Sequence, residues 1–255
     1  MNYFFSPLEQ FQVLPIFSVY LNFVDFSLTN ETVILVLILF FSLVLFTSLV
    51  KEQESSYFIV PNRWQSVIEI IYKLILSLVT DNIKDKKNQH FFPLVFSTFF
   101  LLLSINLIGL IPYSFTLTSH LIVTLTLSLS IFIGINIICV RLHGINFFSL
   151  FLPAGTSVVL AFLLVPIELI SYIFKPISLS IRLFANMMAG HTLLKVIAGF
   201  AFTLMGNVGV LFLLHYIPLL ILIPLFGLEL GVALIQSFVF SILICIYLND
   251  AINLH

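Results

Sequence analysis

Ser178-Leu-Ser-Ile-Arg-Leu-Phe-Ala-Asn-Met-Met-Ala-Gly-His191 sets an arginine, an asparagine and a histidine deep inside a long apolar tract. From Leu142 to His255 the formal charges number six: Glu168, Lys175, Arg182, Lys195, Glu229 and Asp250. A guanidinium keeps its proton at physiological pH and is costly inside a bilayer. Such a residue marks a functional site, and the question is which partner Arg182 faces. The tract around it decides the fold. A mean hydropathy of +1.21, with 61% hydrophobic and 8% charged residues, excludes an ordinary soluble domain. A transmembrane helix takes about 20 apolar residues, so 255 residues hold five or six spans with short loops.

Working outward, the flanking tracts are longer than a span requires. One runs over about 158–202, interrupted by Pro166, Pro176 and Gly190; the other runs over about 216–248, interrupted by Pro218, Pro224, Gly227 and Gly231. At ~1.5 Å per residue both exceed the ~30 Å hydrocarbon core, so they must tilt steeply, bend or break. Gly206-Asn-Val-Gly209 lies between them. Upstream, a span is expected over 32–50, closed by Lys51-Glu-Gln-Glu54. Two more fall within 91–140, the first stopping at Pro112-Tyr113 and the second at Arg141-Leu-His-Gly144. The second is rich in Thr and Ser, whose hydroxyls can bond the preceding turn and do not block a span. A connector over 145–154 follows. Segment 62–80 differs: Trp64, Val67, Ile68, Ile71, Leu74, Ile75 and Leu78 recur at helical spacing between Arg63, Glu69, Lys73 and Ser77. That pattern predicts an amphipathic helix lying at the interface.

The fold expected is an all-α membrane protein of about five embedded helices and one interfacial helix, the last two embedded helices forming a long, strongly tilted hairpin. The whole of 1–255 is read as a single integral membrane domain, with 1–31 as an N-terminal segment and 158–250 as the hairpin. The first 31 residues hold no Lys or Arg, whereas 51–87 hold Lys51, Arg63, Lys73, Lys84, Lys86 and Lys87. The positive-inside rule then puts the N-terminus outside and 51–90 inside. The basic start of a secretory signal and the Arg-rich pattern of a transit peptide are both missing from Met1 to Phe23, so no cleavable targeting sequence is expected. Cys139 and Cys245 lie far apart in apolar stretches and read as packed free thiols. A net charge of −1 argues against a nucleic-acid partner.

In an antiparallel hairpin, residues at equal depth have a nearly constant index sum. One register sets Glu168 opposite Asp250, Arg182 opposite Gln236, and His191 nearly opposite Glu229. At about 100° per residue, Glu168, Lys175, Arg182 and Asn186 share a stripe, as do Glu229, Gln236 and Asp250. His191 falls on the far side of a straight helix from Arg182; either Gly190 bends the segment or His191 faces a different cavity. The chemistry suggested is proton handling: carboxylates and imidazole exchange protons near neutral pH, while arginine does not. A fixed cation between two titratable clusters separates two aqueous half-paths and attracts a carboxylate arriving from a partner.

The stretch 178–191, together with Leu169-Ile-Ser-Tyr172, Gly227-Leu-Glu-Leu-Gly-Val-Ala233 and Ile244-Cys-Ile-Tyr-Leu-Asn-Asp250, closely resembles the subunit a family of F-type ATP synthases. Asn106-Leu-Ile-Gly-Leu-Ile-Pro-Tyr113 and Val60-Pro-Asn-Arg-Trp-Gln65 also look like family segments. The resemblance thins at the extreme N-terminus and around 200–225. It implies a stator in the mitochondrial inner membrane, beside a rotating ring of subunit c and in company with peripheral-stalk and other membrane subunits, lipid and protons. It also implies a role for each polar residue. Arg182 matches the essential arginine facing the ring carboxylate, with Asn186 and Gln236 as its polar neighbours. His191 and Glu229 match the half-channel from the intermembrane space; Glu168 and Asp250 match the matrix-side half-channel. The family's two long helices lie nearly horizontal, and inside becomes the matrix.

ATP is made on other subunits in that family, so no catalytic site is expected here, and no Gly-rich phosphate loop occurs. No cofactor is expected. A metal at His191 and Glu229 falls short of the four ligands that structural zinc wants. A secondary transporter would also use broken helices and a mid-membrane charge, but it usually shows two pseudo-equivalent halves. A structural subunit of a respiratory complex would not need Arg182 opposed to glutamine with acids on both sides. His90, His120, His143, His215 and His255 read as interfacial or loop-capping.

Overall fold

The computed structural model describes residues 8–18, 20–21, 24–55, 63–83, 86–111, 114–144, 158–206 and 214–252. Six α-helices follow a short β segment among these residues: α1 Asn30–Ser55, α2 Arg63–Asn82, α3 Phe92–Gly109, α4 Leu121–His143, α5 Val158–Met205 and α6 Tyr216–Ile252. The expected connector at 145–154, the stop at Pro112-Tyr113 and residues 207–213 lie outside the described set. Stretches Gln89–Gly109, Leu121–His143, Phe162–Met205 and Tyr216–Ile252 are long and apolar enough to cross a membrane, and Asn30–Val44 is a shorter apolar helix. The chain is an all-α membrane protein.

The β segment is the departure from expectation. Strand β1 (Pro15–Phe17) pairs antiparallel with β4 (Leu28–Thr29), and β2 (Tyr20–Leu21) pairs with β3 (Val24–Asp25). Asn30 ties this hairpin to α1. Its Oδ1 accepts from the Leu14 and Glu31 backbone N–H groups at 3.1 and 3.0 Å, and its Nδ2 donates to the Gln12 carbonyl at 3.1 Å. Thr29 and Thr32 exchange bonds around the first turn: the Thr29 N–H donates to Thr32 Oγ1 at 3.1 Å and the Thr32 N–H to Thr29 Oγ1 at 3.4 Å. Such reciprocal caps satisfy backbone donors that a helix start leaves orphaned.

The long tracts are less broken than their prolines suggest. α5 runs 48 residues with Pro166 and Pro176 inside it, and α6 runs 37 residues with Pro224 inside. At ~1.5 Å per residue these are roughly 70 Å and 55 Å of helix. α2 has its apolar side where a one-sided helix needs it, but the seam is turned slightly. Ile75, Leu78 and Val79 are buried, whereas Val67 and Leu74 are exposed. Gly144, with φ of 56°, ends α4 in the left-handed region that side chains resist.

Two compact units divide the chain. The first comprises Met1–Ser48, Leu101–His120 and Leu183–Gln236. In it Ile38 of α1 packs on Ile105 of α3 and on Phe115 and Leu117, with Ile34, Leu101 and Ile108 around them. A second cluster joins Leu110 to Met187 of α5 and Ala233 of α6. Lipid is as apolar as these side chains, so close packing holds them together, and small residues such as Ala233 let the backbones approach.

The second unit comprises Leu49–Phe100, Leu121–Arg182 and Ser237–His255. Tyr72 of α2 meets Phe92 and Phe96 of α3 edge-on, with ring centroids 5.0 and 6.0 Å apart. α4 meets α5 along a polar seam: Thr124 Oγ1 lies 3.2 Å from Ser180 Oγ, and the Tyr172 hydroxyl donates to Asn136 Oδ1. Other α4 hydroxyls bond the preceding turn, Thr126 to Val123 O at 2.9 Å and Ser130 to Leu127 O at 2.8 Å. Cys139 and Cys245 are free and buried.

Candidate functional site

In the first unit, α5 and α6 bring together four of the polar residues singled out from the sequence. Asn186 Nδ2 donates to Gln236 Oε1 at 3.2 Å. His191 Nδ1 lies 3.5 Å from Glu229 Oε1, with both side chains largely buried. Gln236 therefore takes as partner the residue one helical turn beyond Arg182. The contact has a geometric cause at Gly190. A Cβ built there would stand 2.7 Å from Glu229 Oε1 and 3.0 Å from its Cδ. Only a glycine leaves room for the carboxylate against α5, and His191 reaches it from the flank. The sequence left two alternatives at Gly190, a bend or a separate cavity for His191; in the structure α5 continues through Gly190, which leaves space for the Glu229 carboxylate.

The pair is also starved of partners. Both Glu229 carboxylate oxygens, His191 Nε2 and Gln236 Nε2 are buried with no hydrogen bond among the described residues. Glu229 is 4% exposed. Buried polar groups in proteins are nearly always satisfied, by protein or by ordered water. A carboxyl and an imidazole in contact, each with a spare polar atom, can pass a proton between them and on to water.

The second unit holds the rest. Arg182 is exposed and makes no hydrogen bond or ion pair with any described residue. It lines an open cleft of about 280 Å³ with Ser171, Lys175, Ser178, Leu243 and Tyr247. Lys175 Nζ sits 5.5 Å from the Tyr172 ring centre and 5.2 Å from that of Tyr247, within cation–π range. Tyr247 is within Coulombic reach of both Arg182 and Asp250. Glu168 and Asp250 are half-buried, and no hydrogen bond or ion pair joins them. One Glu168 oxygen, Oε2, is buried without a partner among the described residues.

Sequence reasoning missed the two tyrosines that box Lys175 and the spacer role of Gly190. The i, i+3 spacing of Tyr172 and Lys175 was a usable signal for the first; nothing local signals the second. Among the remaining histidines, a His143 ring nitrogen lies 3.0 Å from the Ile252 carbonyl, and His120 stacks on Phe115. Among the described residues no three His, Cys, Asp or Glu side chains converge as metal ligands would.

The family described as ATP synthase A chain matches residues 32–249. A relative called ATP synthase subunit a from Pylaiella littoralis is 54% identical over 252 residues, covering 99% of this chain and 100% of that protein. Proteins of the same name from Marchantia polymorpha and Chondrus crispus are each 50% identical, covering 98% of this chain and 99% and 97% of their own lengths.

Proposed function

Because the chain belongs to the ATP synthase A chain family, we propose that it is the stator that turns proton flow into rotation of a ring of carboxylate-bearing subunits. The family makes it a proton-translocating membrane subunit of an ATP synthase. The observation that carries the finer reading is Arg182: a permanent cation, exposed in an apolar helix, with no partner of its own among the described residues. Its partner is then an anion brought by another chain, the ring carboxylate. Asn186 and Gln236 flank that encounter.

A proton enters from the intermembrane space by His191 and Glu229, protonates a ring carboxylate, and rides almost a full turn. It leaves to the matrix by Glu168 and Asp250. The short way back is closed because Arg182 favours the ionised carboxylate in a low-dielectric gap and repels the proton. The excess length of α5 and α6 supports a steep tilt across the bilayer. α1, α3, α5 and α6 each contribute to both compact units, which supports one membrane domain over 1–255. The basic residues between 51 and 87 support a matrix face there and an inner-membrane location. Ring, peripheral-stalk and other membrane subunits are its partners, and no nucleotide is handled by this chain.

The test is Arg182→Ala in the assembled complex. Proton-driven ATP synthesis should vanish while hydrolysis by the detached catalytic head persists. Lys should substitute poorly, because an ammonium can lose its proton when buried and lacks the planar donor fork. Normal proton-driven synthesis in Arg182→Ala membranes would refute the stator reading.

A further inference from the structure

The β segment ahead of α1 carries a surface that the proton path does not use. Leu14, Ile16, Phe17, Phe26 and Leu28, on or beside β1 and β4, are each more than half exposed. Side chains alternate between the two faces of a strand, and every residue from 12 to 18 is exposed, so both faces of the ribbon are open. Apolar side chains gathered this densely on a surface mark an interaction site. The segment lies outside residues 32–249, the stretch matched by the family.

Three observations say what covers it. The first is continuity with the membrane. β4 ends at Thr29 and α1 begins at Asn30, with no linker between them. The Asn30 N–H donates to the Leu14 carbonyl at 3.1 Å, and the Asn30 side chain holds Leu14 and Gln12, so the ribbon is fixed to the end of the helix. Val36, Phe40 and Leu43 of α1 are themselves exposed, as the apolar side chains of a lipid-facing helix are. The second is the pair of open faces. A docked protein covers one face of a ribbon, whereas a surrounding apolar phase covers both. The third is charge. Residues 8–30 hold Glu9 and Asp25 and neither Lys nor Arg. The segment has no cation with which to grip a phosphate, so burial of apolar area is the attraction left to it.

We infer that the β segment is an interfacial foot: it lies in the bilayer at the boundary of headgroups and acyl chains, with lipid as its partner, where α1 begins. It stays shallow because a two-stranded ribbon keeps backbone N–H and C=O groups along its outer edges, and water must reach them. Asn30, Glu31 and Thr32 open α1 with polar side chains, which belong at the headgroup level. The foot fixes the depth of that end of α1. On the proposed topology its leaflet faces the intermembrane space, but the inference does not depend on the proton path.

Photoactivatable phosphatidylcholine tests it on the whole assembled complex in liposomes. One probe carries a diazirine next to the headgroup, the other at the end of an acyl chain. After illumination and digestion, mass spectrometry locates the lipid adducts. The headgroup-proximal probe should label residues 8–29, while the acyl-end probe should label α1 around Val36 and Phe40 and spare the ribbon. Labelling should be the same at low and high salt, because apolar insertion is not screened. Absence of lipid adducts in 8–29 while α1 is labelled would overturn the inference, whether water or a neighbouring subunit covers the ribbon. Loss of labelling at high salt would overturn it as well, since ionic attachment would then hold the segment. The combined Phe17→Ser and Phe26→Ser variant gives a second reading. Its adduct yield in 8–29 should fall about tenfold, because the two phenyl groups together supply at least that preference for an apolar phase. An unchanged yield would assign the adducts to chance collision and sink the foot. The unsubstituted complex answers the question by itself if the variant does not assemble.

Discussion

Two stretches of α5 treat their polar groups in opposite ways. Around residues 186–191 they are paired and, at Glu229, closed in: exposed Asn186 bonds Gln236, His191 touches buried Glu229, and Gly190 lets that carboxylate lie against the helix backbone. Around residues 171–182 they are open: Lys175 and Arg182 line a cleft with two serines and Tyr247, and Arg182 has no partner among the described residues. A closed site fixes geometry and suits a proton, which needs donor and acceptor in contact. An open, permanently charged site suits an anion that must arrive, meet the cation and leave. On the proposed function the single helix carries both halves of a transfer, and the difference lies in which side chains oppose it.

The comparison breaks most decisively at Glu229. Glu229→Gln keeps the shape and removes the exchangeable proton, so coupled flux should fall about a hundredfold, the usual scale for losing a positioned acid–base group. ATP hydrolysis by the detached head should be unchanged. If proton-driven synthesis survives the substitution, the closed stretch is a packing feature and nothing more.

The next largest effect is expected from a single methyl group. Gly190→Ala places a Cβ 2.7 Å from Glu229 Oε1 in the present geometry. Either the helices part or the carboxylate turns away, at about 1–3 kcal/mol of overpacking, so synthesis should drop about five- to a hundredfold. Gly199→Ala on the same helix is the control, since a Cβ there meets nothing within 4 Å. Equal activity of the two variants would show that the close approach is irrelevant to transfer.

How much of this was legible in the sequence follows from the same two stretches. The apolar lengths, the amphipathic 62–80 and the polar residues inside the hairpin were readable, because hydropathy and period act along the chain. Antiparallel pairing placed His191 beside Glu229. It also set Arg182 opposite Gln236, whereas the hydrogen bond of Gln236 goes to Asn186, one turn away. A constant index sum assumes two straight helices in one register, and sequence does not fix an offset of one turn. The role of Gly190 stayed open because the space it leaves exists only once α6 is beside it. The β1–β4 pairing went unread for a different reason. Its strands are two or three residues long within a largely apolar run, so no alternation stands out.

The open stretch should tolerate change better than the closed one, except at Arg182. Lys175→Gln removes the cation held between the Tyr172 and Tyr247 rings, an interaction worth about 0.5–1 kcal/mol at a partly exposed site. Synthesis should fall by no more than about fivefold. A loss as large as that of Glu229→Gln would mean the cleft is a tuned site like its neighbour, and the contrast between the two stretches would collapse.

The smallest expected effect is at Lys73 of α2, and it tests which side of the membrane each stretch serves. Lys73 pairs with Glu69 at 2.8 Å, with side-chain exposures of 71% and 46%. An exposed i, i+4 pair of this kind contributes about 0.3–0.5 kcal/mol at most, so Lys73→Cys should leave assembly and synthesis intact. Its value is as a reporter. α2 buries Ile75, Leu78 and Val79 on one side and turns Glu69 and Lys73 outward, as a helix lying along a membrane surface does. On the proposed topology, which the basic residues around it support, that surface faces the matrix. A membrane-impermeant thiol reagent should therefore label the Lys73→Cys variant from the matrix side only. Labelling from the intermembrane-space side alone would invert the topology. His191 and Glu229 would then become the exit, Glu168 and Asp250 the entry, and the closed stretch would release protons instead of admitting them.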